Sequence, residues 1–388
     1  MLGIVNAPAS FNAAPSDDDL SLVPGPTRML PNVLAAHGAH YGSPDTEDAF
    51  WTDYLALEAT LQAFLHTQQS VVIQSGEGML GLWGALKSTL QRGDVVVSAA
   101  NGLFGAGFAD MAKRLGAEVH VVEGDWTRAM DVDALIAEIK LRNPKLVTMV
   151  HCETPSGVLN ALEGVGDAID QYTTDGLFLV DFVSSAIGAP LAVDALKIDL
   201  GLLAPQKALS GPTSLAITTV SAKAWKRIAQ CAYVGYDALL PFHDVEKQTP
   251  RLFPYTHNWH AVRATMAACE NVAREGGIDA SIARHRDVSA FCRAEAQKLG
   301  LKLYCSEEAA APTVTALEIP AWCDWAELQQ ALRERKVFLG GSYGPLHGKV
   351  MRLGHMGSQA DKELVGKALR VLAQVLETLQ AKKAGEEV

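Results

Sequence analysis

DGLFLVDFVSSAIGAP at residues 175–190 and IDLGLLAPQKALSGPT at residues 198–213 decide the fold. Leu177 to Val180 is a short apolar run that stops at Asp181. A continuous apolar run of this length, bounded by turn residues, predicts a strand buried on both faces, as in a parallel sheet. Ile198 to Leu203 repeats the pattern and ends in Ala204-Pro205-Gln206-Lys207, after which Ala208-Leu209-Ser210-Gly211-Pro212 keeps the lysine out of regular structure. A carboxylate and an amine are thereby set at neighbouring strand ends, the edge where ligands gather in open α/β sheets. Such a pair suits Schiff-base chemistry: the amine binds an aldehyde cofactor, and the carboxylate keeps a pyridine nitrogen protonated so that the ring can draw electrons. An ordinary exposed lysine after a strand is the competing reading.

Three further motifs accompany the pair. Val71-Val72-Ile73 predicts a strand, and Gln74-Ser75-Gly76-Glu77-Gly78 leads from it into a helix reaching about Leu90. A strand, a glycine turn and a helix N-terminus together make an anion site, because free N–H groups and the positive end of the helix dipole face the same point. Leu146 to His151 predicts another strand, ending in Cys152-Glu153-Thr154-Pro155-Ser156-Gly157. Arg352 stands in Met351-Arg352-Leu353-Gly354-His355-Met356-Gly357, a β-like run in which a lone arginine is out of place. Its planar fork suits a bidentate carboxylate; a structural ion pair is the alternative.

In this order, from about Pro24 to the C-terminal helix, the motifs resemble the class V aminotransferases of PLP fold type I. The resemblance implies a mostly parallel seven-stranded sheet flanked by helices, an α/β large domain over residues 23–260, and a smaller α+β C-terminal domain over 261–388. It implies Lys207 and Asp181 as catalytic residues. Ser75, Gly76 and Glu77 would cradle the cofactor, Phe104 would stack on its ring, Thr154 would donate to the ring hydroxyl, and Val183 and Gln206 would also contact it. Thr256 would reach the phosphate of a partner subunit. Arg352, Gly25 and Tyr343 would face the substrate, although Tyr343 stands where a second arginine is expected. The implied cofactor is pyridoxal 5′-phosphate, or unphosphorylated pyridoxal or pyridoxamine acting as substrate. The implied reaction moves an amino group from a small amine or amino acid to a 2-oxo acid such as pyruvate or glyoxylate, in a homodimer or dimer of dimers. The alternative is a lyase or desulfurase of the same class, for which Cys305 is within range of the required loop cysteine.

Composition agrees with a small-molecule enzyme. A chain of 388 residues is long for one core, so two domains are expected. The formal net charge of −11 and the lack of a Lys/Arg cluster speak against nucleic acid. Six cysteines lie scattered without zinc spacing, as expected of reduced thiols in the cytoplasm. No apolar run has the length of a membrane span.

Residues 1–22 show little periodicity and are expected to form an extended arm. Pro24-Gly25-Pro26-Thr27 predicts a tight turn. Phe50, Tyr54, Leu57, Leu61 and Leu65 recur at helical spacing, predicting an amphipathic helix over Asp45 to His66. Strands follow at Asp94 to Ala99 and Glu118 to Val122, and a terminal helix runs from Asp361 to Leu379 with Ser358 in its N-cap region. Glu77 is expected in the first turn of its helix, where it either complements the dipole or points into the anion cup and favours a 5′-hydroxyl over a phosphate.

Overall fold

The computed structural model describes Ser16 and residues 19–386. Most of the expected N-terminal arm lies outside these residues; its last three, Leu20–Leu22, form a strand, β1.

The large sheet is built from β2 (Ser70–Ser75), β3 (Val95–Ala100), β4 (Glu118–Glu123), β5 (Leu146–Val150), β6 (Leu177–Asp181), β7 (Leu200–Leu203) and β8 (Leu215–Val220). Their spatial order is β2-β8-β7-β6-β5-β3-β4. Only β8 runs against the rest, pairing antiparallel with β2 and β7. Every residue of β5, β6, β7 and β8 is buried, which is why their sequences are continuous apolar runs and not alternating ones. The edge strand β4 is only half-covered and carries Glu118, His120 and Glu123.

Each face of this sheet has its own core. Phe50, Tyr54, Leu57 and Leu61, on the helix Asp48–Phe64, pack with Phe178 and Val180 on one side. Leu82, Ala85 and Leu86, on the helix Gly78–Thr89, pack with Leu179, Leu200 and Leu202 on the other. Truncating the fully buried Phe178 to Ala would cost about 3–5 kcal/mol.

A second, four-stranded sheet has the order β1-β10-β11-β9, with β9 (Val314–Glu318), β10 (Val337–Gly341) and β11 (Val350–Gly354). β1 joins it in parallel with β10, Leu20 opposite Val337. Leu328, Leu332, Val365, Leu369 and Leu372, from the helices Trp325–Glu334 and Lys362–Glu386, share a core with Leu339, Met351 and Leu353. The terminal helix is capped by Asp361, whose carboxylate accepts from the Leu364 N–H, and not by Ser358, whose hydroxyl donates to the Arg28 carbonyl. Ser358 is one residue of a short 3₁₀ turn, so its side chain is committed before the helix begins.

Because β2, β3, β5, β6 and β7 run in one direction, the residues that follow them emerge at one sheet edge. That edge faces the β10–β11 end of the second sheet, and the site lies between them. Among the described residues no helix is long and apolar enough to cross a membrane.

Candidate active site

Lys207 leaves β7 through Ala204-Pro205-Gln206, all buried, and its Nζ donates to the Pro24 carbonyl at 2.6 Å. Gly25 turns the chain over the amine at φ +87°, and a Cβ there would sit 2.5 Å from Lys207 Cδ. Only glycine satisfies both the backbone and the contact. Burial, reinforced by the Arg352 charge, pulls the Lys207 ammonium down to about 8, although Asp181 opposes the shift.

Asp181 is the last residue of β6 and is 6% exposed. Its Oδ1 accepts from the Val183 N–H at 2.8 Å. Burial lifts its carboxyl to about 6, against that hydrogen bond and the Lys207 charge. A buried carboxylate with one backbone donor is prepared to take a second, cationic N–H.

Thr154 follows β5, and its hydroxyl is paired with the buried Ser184 hydroxyl. Phe104 lies in the first turn of the helix Leu103–Arg114 and shares the cleft wall with Thr154, Lys207 and Arg352. Its seat depends on a residue that sequence reasoning passed over. Glu153, fully buried, accepts from the Phe104 N–H at 3.1 Å and the Gly105 N–H at 2.6 Å, satisfying two free donors at that helix start. A side chain at Gly102 would strike the Glu153 carboxylate. Burial lifts the Glu153 carboxyl to about 7. The one sequence signal was its place in the polar cluster after β5.

The anion cup departs from expectation. Glu77 is the N-cap of the helix Gly78–Thr89 and not a first-turn residue. Its Oε2 accepts from the Met79 N–H at 3.0 Å, while its Oε1 accepts from Gln206 Nε2 at 3.0 Å. One carboxylate therefore both caps the helix and ties it to the residue before Lys207. The Gln206 side-chain oxygen, Oε1, is buried without a partner. Ser75 accepts from the Asn258 N–H through its hydroxyl, and Gly76 donates its N–H to the Ser214 carbonyl. Thr256 donates to Asp45 at 2.9 Å on the exposed surface and does not line this chain's own cleft.

Arg352, in the middle of β11, is 3% exposed. Its Nε donates to the Gly341 carbonyl at 2.8 Å and its Nη1 to the Thr154 carbonyl at 3.4 Å, and the guanidinium lies 4.8 Å from the Tyr343 ring centre. Among the described residues no carboxylate lies within 4.0 Å of it, so it is not half of a structural ion pair. A buried cation held by carbonyls and a ring, beside an open cleft, is arranged to receive an anion. Tyr343 is 57% exposed over it, in the position expected for a second arginine. Cys305 is 5% exposed and directs its thiol to the Gly157 carbonyl, away from the role of a mobile nucleophile.

The Aminotransferase class-V family model matches residues 23–346. An alanine–glyoxylate aminotransferase of Callithrix jacchus is 30% identical over 375 residues, covering 94% of this chain and 89% of its own. A pyridoxamine–pyruvate transaminase of Mesorhizobium japonicum is 29% identical over 375 residues, covering 95% and 94%. The crystal structure of pyridoxamine–pyruvate aminotransferase from Mesorhizobium loti is similar with a TM-score of 0.88 at 28% identity, over 93% of this chain and 92% of that one.

Proposed function

The chain belongs to the class-V aminotransferase family, and we propose that Lys207, Asp181 and Arg352 carry its transfer of an amino group to a small 2-oxo acid. The protein is an aminotransferase of PLP fold type I, and its cofactor is pyridoxal 5′-phosphate. The observation that carries the assignment of residues is that a lysine depressed by burial and an arginine without an acid partner share one cleft, while a buried carboxylate with a single backbone donor lies close enough to the lysine for the two charges to act on each other.

The residues fit the cofactor's ring and aldehyde. Asp181 would hold the pyridine nitrogen, Phe104 and Val183 would flank the ring, Thr154 and Ser184 would offer hydroxyls to its oxygen, and Lys207 is the one lysine among the described residues that line the cleft. When bound, the cofactor supplies a carbonyl to accept the amino group and a ring to spread the charge left on carbon. Lys207 Nζ would take the proton from the carbon bearing the amino group and return it to the carbon on the far side of the nitrogen, a task that suits an amine near the working pH. Asp181 holds the ring nitrogen protonated. Arg352 fixes the carboxylate of the oxo acid, and the Pro24-Gly25 turn keeps the lysine in line.

The phosphate end supports a second feature. Glu77 places a carboxylate at the helix N-terminus, where a like charge at about 4 Å and an effective dielectric near 20 opposes a phosphate by ~4 kcal/mol. We infer that the cup admits an unphosphorylated pyridoxal or pyridoxamine, whose hydroxyl can donate to Glu77, and that the amino donor includes pyridoxamine. The aromatic stretch around Thr256 and the exposed Val234, Tyr236 and Leu252 support a homodimer, or a dimer of dimers, in which Thr256 serves the partner's cup. The reading includes a cytoplasmic enzyme with a large domain over 23–260 and a small one over 261–388. Mixing the protein with an amino donor and pyruvate, while following alanine and the cofactor's near-ultraviolet absorbance, tests the assignment; no alanine from any donor, pyridoxamine included, would refute it.

A further inference from the structure

The cleft that holds Lys207 and Arg352 is a cavity of about 560 Å³ that does not end at Arg352. It continues along the helix Trp325–Glu334, whose Trp325, Gln329 and Arg333 all line it. In a chain of net charge −11, this cavity has Lys207, Arg333, Arg352 and His347 in its wall and, among the described residues, no Asp or Glu. A cleft lined by one sign of charge concentrates ligands of the other.

Trp325, Gln329 and Arg333 are spaced i, i+4, i+8, so they form one row along the cleft. Trp325 packs on Gly341, whose carbonyl seats Arg352, and this fixes the inner end of the row beside the carboxylate fork. Gln329 then lies about 6 Å farther along the helix axis. Arg333 follows about another 6 Å along the axis, and its side chain lines the same wall. Phe338 steadies it, 5.9 Å from the ring centre. Among the described residues no carboxylate lies within 4.0 Å of Arg333. An amide and a cation farther out along the wall that holds Arg352 suit a second, distal carboxylate on the same substrate.

We propose that Trp325, Gln329 and Arg333 form an outer subsite that takes the distal carboxylate of a dicarboxylic 2-oxo acid, and of the amino acid made from it, while Arg352 holds the first carboxylate. The proposal rests on the aminotransferase reading of the inner site. The tail is a spectator in the chemistry: the donor's CH–NH₂ becomes C=O as the acceptor's C=O becomes CH–NH₂, and no outside oxidant or reductant enters.

The test charges the enzyme with pyridoxamine 5′-phosphate and discharges it with 2-oxoglutarate, 2-oxopentanoate or pyruvate, following the cofactor's absorbance in single turnovers. Glutarate and pentanoate, which cannot react, are titrated in parallel by calorimetry. The expected result is at least a tenfold preference for 2-oxoglutarate over the equally long 2-oxopentanoate, expressed in the concentration dependence, and tighter binding of glutarate than pentanoate. Arg333→Gln should lower the efficiency for 2-oxoglutarate at least tenfold more than that for pyruvate and should erase the glutarate preference. Discharge by pyruvate without a preference for the diacid, or a preference that survives Arg333→Gln, overturns the subsite alone. Failure of all three oxo acids to discharge the enzyme overturns the inner-site reading and the subsite with it.

Discussion

The Lys207 amine donates to the carbonyl of Pro24 across a 2.6 Å hydrogen bond, so the Pro24-Gly25 turn holds the nucleophile that emerges from β7. Burial, reinforced by the Arg352 charge, sets how the lysine titrates. Its ammonium is pulled from the ordinary 10.5 to about 8 in the cofactor-free protein. Capture of pyridoxal 5′-phosphate needs the neutral amine, so the capture rate should rise with pH through a midpoint near 8 and then level off. The sign for stability follows: between about 8 and 10.5 the unfolded lysine keeps a proton that the folded one has lost, so cofactor-free protein gains stability as pH rises through that window. Stopped-flow absorbance and urea titrations across pH check both, and a capture midpoint near the free-lysine value would contradict them.

Replacing Arg352 by Ala should raise KM for the oxo acid by the loss of a charge-assisted pair, about 1.5–3 kcal/mol. Arg352→Lys should not restore it, because an ammonium cannot reproduce the fork that Gly341 and Thr154 orient. Steady-state kinetics decide: an unchanged KM in the alanine variant would place the carboxylate elsewhere.

Glu77→Ser should tighten pyridoxal 5′-phosphate and weaken unphosphorylated pyridoxal, because it removes a carboxylate from the phosphate's approach while leaving a serine able to cap the helix. The comparison needs both titrations on both proteins. Equal affinities of wild type and variant for the two vitamers would reduce Glu77 to a helix cap.

Glu153→Ala should leave the Phe104 and Gly105 N–H groups buried without an acceptor. The expected cost is about 1–3 kcal/mol of stability by urea unfolding, together with a displaced Phe104 ring and an altered circular dichroism band of the bound cofactor. Wild-type stability and an unchanged band would show that the helix start holds itself.

The legible parts of this protein were those written in local pattern. Leu177–Val180 and Ile198–Leu203 could be read as buried strands because a strand covered on both faces needs no polar alternation, and Pro205 marked the turn that presents Lys207. Arg352 could be singled out because an arginine inside an apolar run must find an anion or a set of carbonyls, and the run did turn out to be a strand. What local pattern could not reveal was pairing between distant segments. β1 is three residues long and becomes a strand only because Val337–Leu339 lies alongside it. Glu153 looked like one polar residue of a turn, since its partners are the N–H groups of a helix start far upstream. Ser358 was expected near a helix cap by its type and position, yet its hydroxyl belongs to the contact with Arg28.

Lys207 is the residue on which the amino transfer depends most directly. Wild-type protein loaded with pyridoxal 5′-phosphate, reduced with borohydride and mapped by mass spectrometry, should carry the pyridoxyl group on Lys207, and the same preparation before reduction should form alanine from pyruvate and an amino donor. Lys207→Ala should show neither. Label on a different lysine, or alanine formation at the wild-type rate by Lys207→Ala, would contradict the account.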